Sequence, residues 1–98
     1  MVFIVTSNPK SIFLKEIVKD EHKIQKIYSF PNGYGASVIK GKYTYGGPEG
    51  LWEIAPWTND KHEFIGLSLL GWYDDVKGRL NDPEVDRILK EIEGLPCA

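Results

Sequence analysis

Two segments carry residue types that could grip a phosphate. Thr6, Asn8 and Lys10 follow the apolar run Val2-Phe3-Ile4-Val5, and Gly46-Gly47-Pro48-Glu49-Gly50 forms a glycine-rich stretch later in the chain. A hydroxyl, an amide and an ammonium group beside open backbone N–H groups are the donors that anion binding uses, so a small nucleotide- or phosphate-binding enzyme is one reading. The glycine stretch itself weakens that reading. It lacks the Lys-Ser/Thr pair of a P-loop, and Glu49 brings a carboxylate to where an anion would sit. A mobile hairpin loop, at most a contact loop, fits it better.

The second chemistry is that of large amphipathic rings. Tyr43, Tyr45, Trp52, Trp57, Trp72 and Tyr73 gather in the latter two-thirds of the chain. Trp52 alternates with Leu51 and Glu53 and reads as core, whereas Trp57 and the Trp72-Tyr73 pair fall at element ends, where such rings serve interfaces. Tyr43, Tyr45, Gly46, Gly47, Glu49, Trp57, Trp72 and Tyr73 are therefore the candidate binding residues. Other chemistries are poorly provided for. His22 and His62 lie in no ligand spacing, and Cys97 is the single cysteine, so neither a metal centre nor a disulfide is expected. Asp74-Asp75 reads as a turn cap, no catalytic residues emerge, and no cofactor is implied.

These side chains must be held by a scaffold, and 98 residues suffice for one domain. With 42% hydrophobic and 27% charged residues the balance is that of a folded protein. The net charge of −2 gives no field able to hold a polyanion, so nucleic acid is not an expected partner. Residues 1–26 carry a net +2 and the chain from Asp74 onward a net −3. The opening apolar run is too short for a signal-peptide core, so no membrane association and a cytoplasmic location are expected.

The expected fold class is α+β: an antiparallel β-meander packed by a C-terminal amphipathic helix, with an N-terminal strand-helix extension over residues 1–26. Val2–Val5 suits a short strand ended by Ser7-Asn8-Pro9, and the spacing of Phe13 and Ile17 predicts a helix over 10–22. Asn32-Gly33 between two β-prone runs predicts a hairpin with a type I′ turn, in which both turn residues have positive φ. Leu51–Ala55 reads as a third meander strand and Glu63–Leu70 as a fourth, joined by a turn at residues 58–61. Val85, Ile88, Leu89 and Ile92 form an i, i+3, i+4, i+7 stripe, with Asp82 as its cap and Pro83 in the first turn.

Two resemblances follow from particular runs. Thr6-Ser7-Asn8-Pro9-Lys10 resembles the phosphate-gripping start of the inosine triphosphate pyrophosphatase family, with the lysine one residue early and the match confined to the first dozen residues. The chain is too short for the two-lobed fold of that family. The runs Phe30-Pro31-Asn32-Gly33-Tyr34-Gly35-Ala36-Ser37-Val38-Ile39 and Tyr45-Gly46-Gly47-Pro48-Glu49-Gly50-Leu51-Trp52-Glu53-Ile54, continued by Asp74-Asp75-Val76 into the last helix, resemble small uncharacterised proteins of bacteriophages and prophages. That resemblance covers residues 27–93 and brings no catalytic residues. It implies a non-enzymatic accessory protein that binds and modulates or inhibits a host protein, such as a defence component, in the host bacterial cytoplasm. A homodimer through an unpaired meander edge is a further arrangement the pattern allows.

Overall fold

The computed structural model describes residues 12–98. Its centre is a five-stranded antiparallel sheet in sequential order, β1 Leu14–Lys19, β2 Lys23–Ser29, β3 Tyr34–Gly41, β4 Trp52–Thr58 and β5 Lys77–Leu80, followed by the helix α1 Asp82–Glu93. This is the meander and C-terminal helix of an α+β domain. The expected strand at Val2–Val5 lies outside the described residues.

Alternation along the strands divides the apolar residues between two faces. Register places Tyr28, Ala36 and Pro56 in one row and Val38 beside Ile54 in the next. These side chains meet Val85, Ile88, Leu89 and Ile92 of α1, and Ile54, Leu89 and Ile92 are wholly buried. The stripe read from the sequence is therefore the packed face of the helix. Leu→Ala or Ile→Ala at such sites costs about 2–5 kcal/mol. The opposite sheet face carries Gln25, Ser37 and Trp57, with the Gln25 amide donating to Ser37 Oγ at 2.8 Å.

Residues 14–19 form a strand where the sequence spacing predicts a helix. The reason is a β-bulge: Leu14 pairs with Tyr28 and Glu16 with Ile27, which leaves Lys15 as an extra residue. One added residue turns a period of two into an i, i+3 interval, so Leu14 and Ile17 share the core face as they would on a helix. Asp20 then closes the turn into β2, its Oδ1 accepting from the N–H groups of His22 (2.7 Å) and Lys23 (3.0 Å). β2 spans residue 26, so the expected extension and meander are one continuous sheet.

The β2–β3 hairpin is present, but its turn is not type I′. Gly33 donates to the Phe30 carbonyl at 3.2 Å and Phe30 to that of Tyr34 at 2.8 Å, and Gly33 has φ +91° whereas Asn32 is not in the left-handed region. This is a three-residue loop, Pro31-Asn32-Gly33, in which only the last residue needs positive φ. Asn32 has another task. Its side-chain amide donates to the carbonyls of Ile92, Glu93 and Leu95 at 2.8–3.1 Å, closing the C-terminal end of α1 from 60 residues away. Ala98 N–H donates back to the Asn32 carbonyl at 2.9 Å, so the segment that carries the exposed Cys97 is tied down.

Two further expectations are corrected. Glu63–Leu70 is not a strand. After a single bridge between Trp57 and Phe64 the chain turns, with Leu69 and Leu70 both donating to the Ile65 carbonyl. The place beside β4 goes to Lys77–Leu80, a segment of weak β preference held there by burial of Leu80 and by the helix that follows. The helix cap is Asn81, one residue before the expected Asp82. Asn81 Oδ1 accepts from Glu84 N–H and Glu84 Oε1 from Asn81 N–H, both at 2.9 Å, a reciprocal capping box.

Candidate functional site

The candidate binding residues fall into separate neighbourhoods. Tyr43 is exposed at the end of β3, tilted against His22 and under the Lys42 ammonium. Tyr45 lies beside Gly78, and its carbonyl accepts from Arg79 N–H at 3.3 Å. Trp57 is on the sheet face away from α1, edge-on to His62, while Trp72 packs partly against the core with Lys77 over its ring at 4.8 Å. Tyr73 is fully exposed at 105%. No ring contact among the described residues joins Tyr43, Tyr45, Trp57, Trp72 and Tyr73 to one another.

The glycine stretch is ordered. Gly47–Glu49 is a short 3₁₀ helix, and Glu49 Oε1 accepts from Arg79 at 3.1 Å. Gly47, Glu49, Gly50 and Leu51 direct their N–H groups to carbonyls of Thr44, Gly46 and Gly47. Donors already spent within the loop form no anion cradle. Thr6, Asn8 and Lys10, the other half of the phosphate-binding reading, lie outside the described residues. Among the described residues no group of three or more His, Cys, Asp or Glu side chains is placed to hold a metal ion, and no helix is long and apolar enough to cross a membrane.

Two features escaped sequence reasoning. The first is the loop between β4 and β5, residues 59–76. Ile65 and Gly66 are buried and anchor it: Ile65 donates to the Pro56 carbonyl at 3.1 Å, Trp72 to that of Gly66 at 3.0 Å, and Leu67 to Asp75 Oδ1 at 3.2 Å. From this anchored frame Phe64, Leu67, Leu69 and Tyr73 point outward, each half or more exposed. The same loop carries Asp60, Glu63, Asp74 and Asp75 against the single Lys61. The clue was present in the apolar run Phe64-Ile65-x-Leu67-x-Leu69, which reads as a strand until the turn at Gly66 is known.

The second is a cleft of about 360 Å³ between the sheet and the start of α1. Lys26, Tyr28, Val38, Lys40 and Trp52 supply its sheet side, and Asp82, Val85 and Asp86 its helix side. Because Asn81 serves as the cap, Asp82 is left to accept from Trp52 Nε1 at 2.7 Å. The Lys26 and Lys40 ammonium groups stand over the Trp52 ring at 4.9 and 4.4 Å from its centre. Burial, and secondarily the negative charge of Asp86, push the Tyr28 phenol above its ordinary value of 10.0. These residues are scattered over 60 positions, so no local spacing could reveal them.

Comparisons with protein-family models, with curated proteins and with solved structures gave no match.

Proposed function

We propose that the chain is a protein-binding module whose contact surface is the loop of residues 59–76. The observation that carries this reading is the outward presentation of Phe64, Leu67, Leu69 and Tyr73 from a backbone anchored by buried Ile65. Water-exposed apolar side chains crowded into one ordered loop are costly to solubility and are retained where a partner covers them. Ordering the loop in advance also spares the entropy that binding would otherwise consume. The four acidic residues of the same loop favour a partner whose apolar groove is rimmed by lysine or arginine. The resemblance of residues 27–93 to small uncharacterised bacteriophage and prophage proteins implies an accessory role as the context: a host protein, modulated or inhibited by occupation of that groove.

The test compares the full chain with a Leu67→Ser, Leu69→Ser variant and with Tyr43→Ser as a control. Immobilised wild type and control should capture the same bacterial protein, and the loop variant should lose it. With the captured protein purified, the dissociation constant should rise about tenfold or more in the loop variant and rise with salt. Equal affinity of wild type and loop variant removes the proposal, as does self-association of the wild type that accounts for all covered apolar surface.

A further inference from the structure

The chain holds the asparagines Asn8, Asn32, Asn59 and Asn81, and only Asn32 is followed by glycine. That pair has a reaction of its own. The backbone nitrogen after an asparagine is a nucleophile positioned to close a succinimide ring on the side-chain amide carbon, and a following glycine leaves that nitrogen unshielded. In this fold every group the reaction needs is engaged. The Asn32 amide nitrogen, which would leave as ammonia, donates to the carbonyls of Ile92, Glu93 and Leu95, and its Oδ1 accepts from Tyr34 N–H. The attacking nitrogen of Gly33 donates to the Phe30 carbonyl at 3.2 Å, and the Gly33 carbonyl accepts from Asn59 N–H at 2.9 Å. The torsion that would bring nitrogen and amide together is restrained as well, because the Asn32 carbonyl accepts from Ala98 N–H at 2.9 Å.

We propose that Asn32-Gly33 is a self-modification site, silent while the Asn32 amide clamps the end of α1 and reactive once that clamp opens. The reaction consumes water alone. The Gly33 nitrogen bonds to Asn32 Cγ to close the succinimide, the Cγ–Nδ2 bond breaks, and the Gly33 proton departs with the side-chain nitrogen as ammonia. Water then opens the ring at either carbonyl, leaving an aspartyl or an isoaspartyl residue. Neither product rebuilds the clamp. A carboxylate replaces the donor that the carbonyls of Ile92, Glu93 and Leu95 share, and it faces the negative end of α1. The isoaspartyl form also adds a methylene to the backbone of the Pro31-Asn32-Gly33 loop, whose length sets the pairing of β2 with β3. A transient opening thereby becomes permanent, and the helix that buries Leu89 and Ile92 loses its fastening. The lifetime of the folded protein is then set by how often this end of α1 opens.

The experiment ages the full chain at mildly alkaline pH, folded and in denaturant, and follows each asparagine by peptide mass. It needs no partner protein, so the fate of the contact surface does not bear on it. In denaturant Asn32 should convert from amide to acid ahead of Asn59 and Asn81, releasing an equal amount of ammonia, taking up ¹⁸O from labelled water and giving both isomers. In the folded chain the conversion should be slower by about tenfold or more, the factor by which the closed clamp outweighs the open one. Leu95 packs partly against the core beside the clamp, so Leu95→Ala should loosen the helix end and speed Asn32, while Asn81 at the other end of α1 keeps its rate. Converted molecules, separated from unconverted ones, should melt at a lower temperature. Equal rates for Asn32 in the folded and denatured chain overturn the proposal, since the clamp would then protect nothing. So does an Asn32 no faster than Asn59 in denaturant, a converted protein that melts as the original does, or an unchanged Asn32 rate in Leu95→Ala when amide exchange shows its helix end loosened. Should Leu95→Ala fail to fold, the comparison of folded and denatured wild type, with the melting of its converted form, still decides.

Discussion

Asn32 shows how far a residue's task can lie from its sequence neighbourhood. Its position before glycine suits a turn, yet its amide serves three carbonyls at the end of α1 while its Oδ1 accepts from Tyr34 N–H at 3.1 Å. Asn32→Ala leaves those carbonyls to find other partners and should cost about 1–3 kcal/mol, read as a lower denaturant midpoint at unchanged slope. Asn32→Asp, which exchanges the donor for a charge facing the negative helix end, should be at least as damaging. Tyr28 governs the alkaline limb. Its folded pKa is raised, so its contribution is complete below 10.0 and is lost as pH climbs from there through the folded value. Thermal melts of Tyr28→Phe should show a shallower loss of stability above pH 10 than wild type. Asp20 acts in the opposite direction: the N–H groups of His22 and Lys23, the former foremost, hold its carboxyl below 3.8, so its contribution is present above that value and fades on acidification. Asp20→Asn should flatten the acid side of the same profile.

At the scale of elements, the bulge in β1 and the packed glycine stretch make separate demands. Removing Lys15 would restore strict alternation and leave Leu14 and Ile17, then two residues apart, on the same face of the sheet. One residue inserted between Glu16 and Ile17 would instead send either Leu14 or Ile17 to the wrong face, so the insertion should destabilise the chain by more than Lys15→Ala, which keeps the register and should stay within about 0.5 kcal/mol of wild type. Gly47 is a second test. A side chain there would collide with the Gly41 carbonyl and the Thr44 hydroxyl, so Gly47→Ala should cost about 1–3 kcal/mol, whereas Gly50→Ala meets open space and suffers only from its φ of +80°. Equal melting temperatures for the two variants would show that the stretch is slack. These elements also mark where sequence reading succeeds. The α1 stripe and the β2–β3 pairing are written in local periodicity and were legible. The bulge imitates helical spacing, and β5 has almost no β-branched content, so both follow from packing alone.

For the whole molecule, one sheet face receives α1 and the β4–β5 loop carries a patch that the sequence presented as an ordinary strand. That patch was illegible because exposure is a property of the turn at Gly66, not of Phe64, Leu67 or Leu69. The cleft was illegible for a different reason, its lining being drawn from β2, β3, β4 and α1. If the loop is the contact surface, replacing Leu67 and Leu69 by serine should leave the melting temperature within a few degrees of wild type, since neither contributes to the core. Ile65→Ser, by contrast, removes the anchor and should lower both stability and binding. The clamp from Asn32 to the end of α1 reaches further still. It makes the β2–β3 hairpin and the last helix partners in a single closure, so the helix terminus has no finished form until those strands have paired. Amide protons of the Pro31–Tyr34 turn and of the final turn of α1 should accordingly exchange with solvent at matched rates, opening together as one unit although the chain between them is more than half its length.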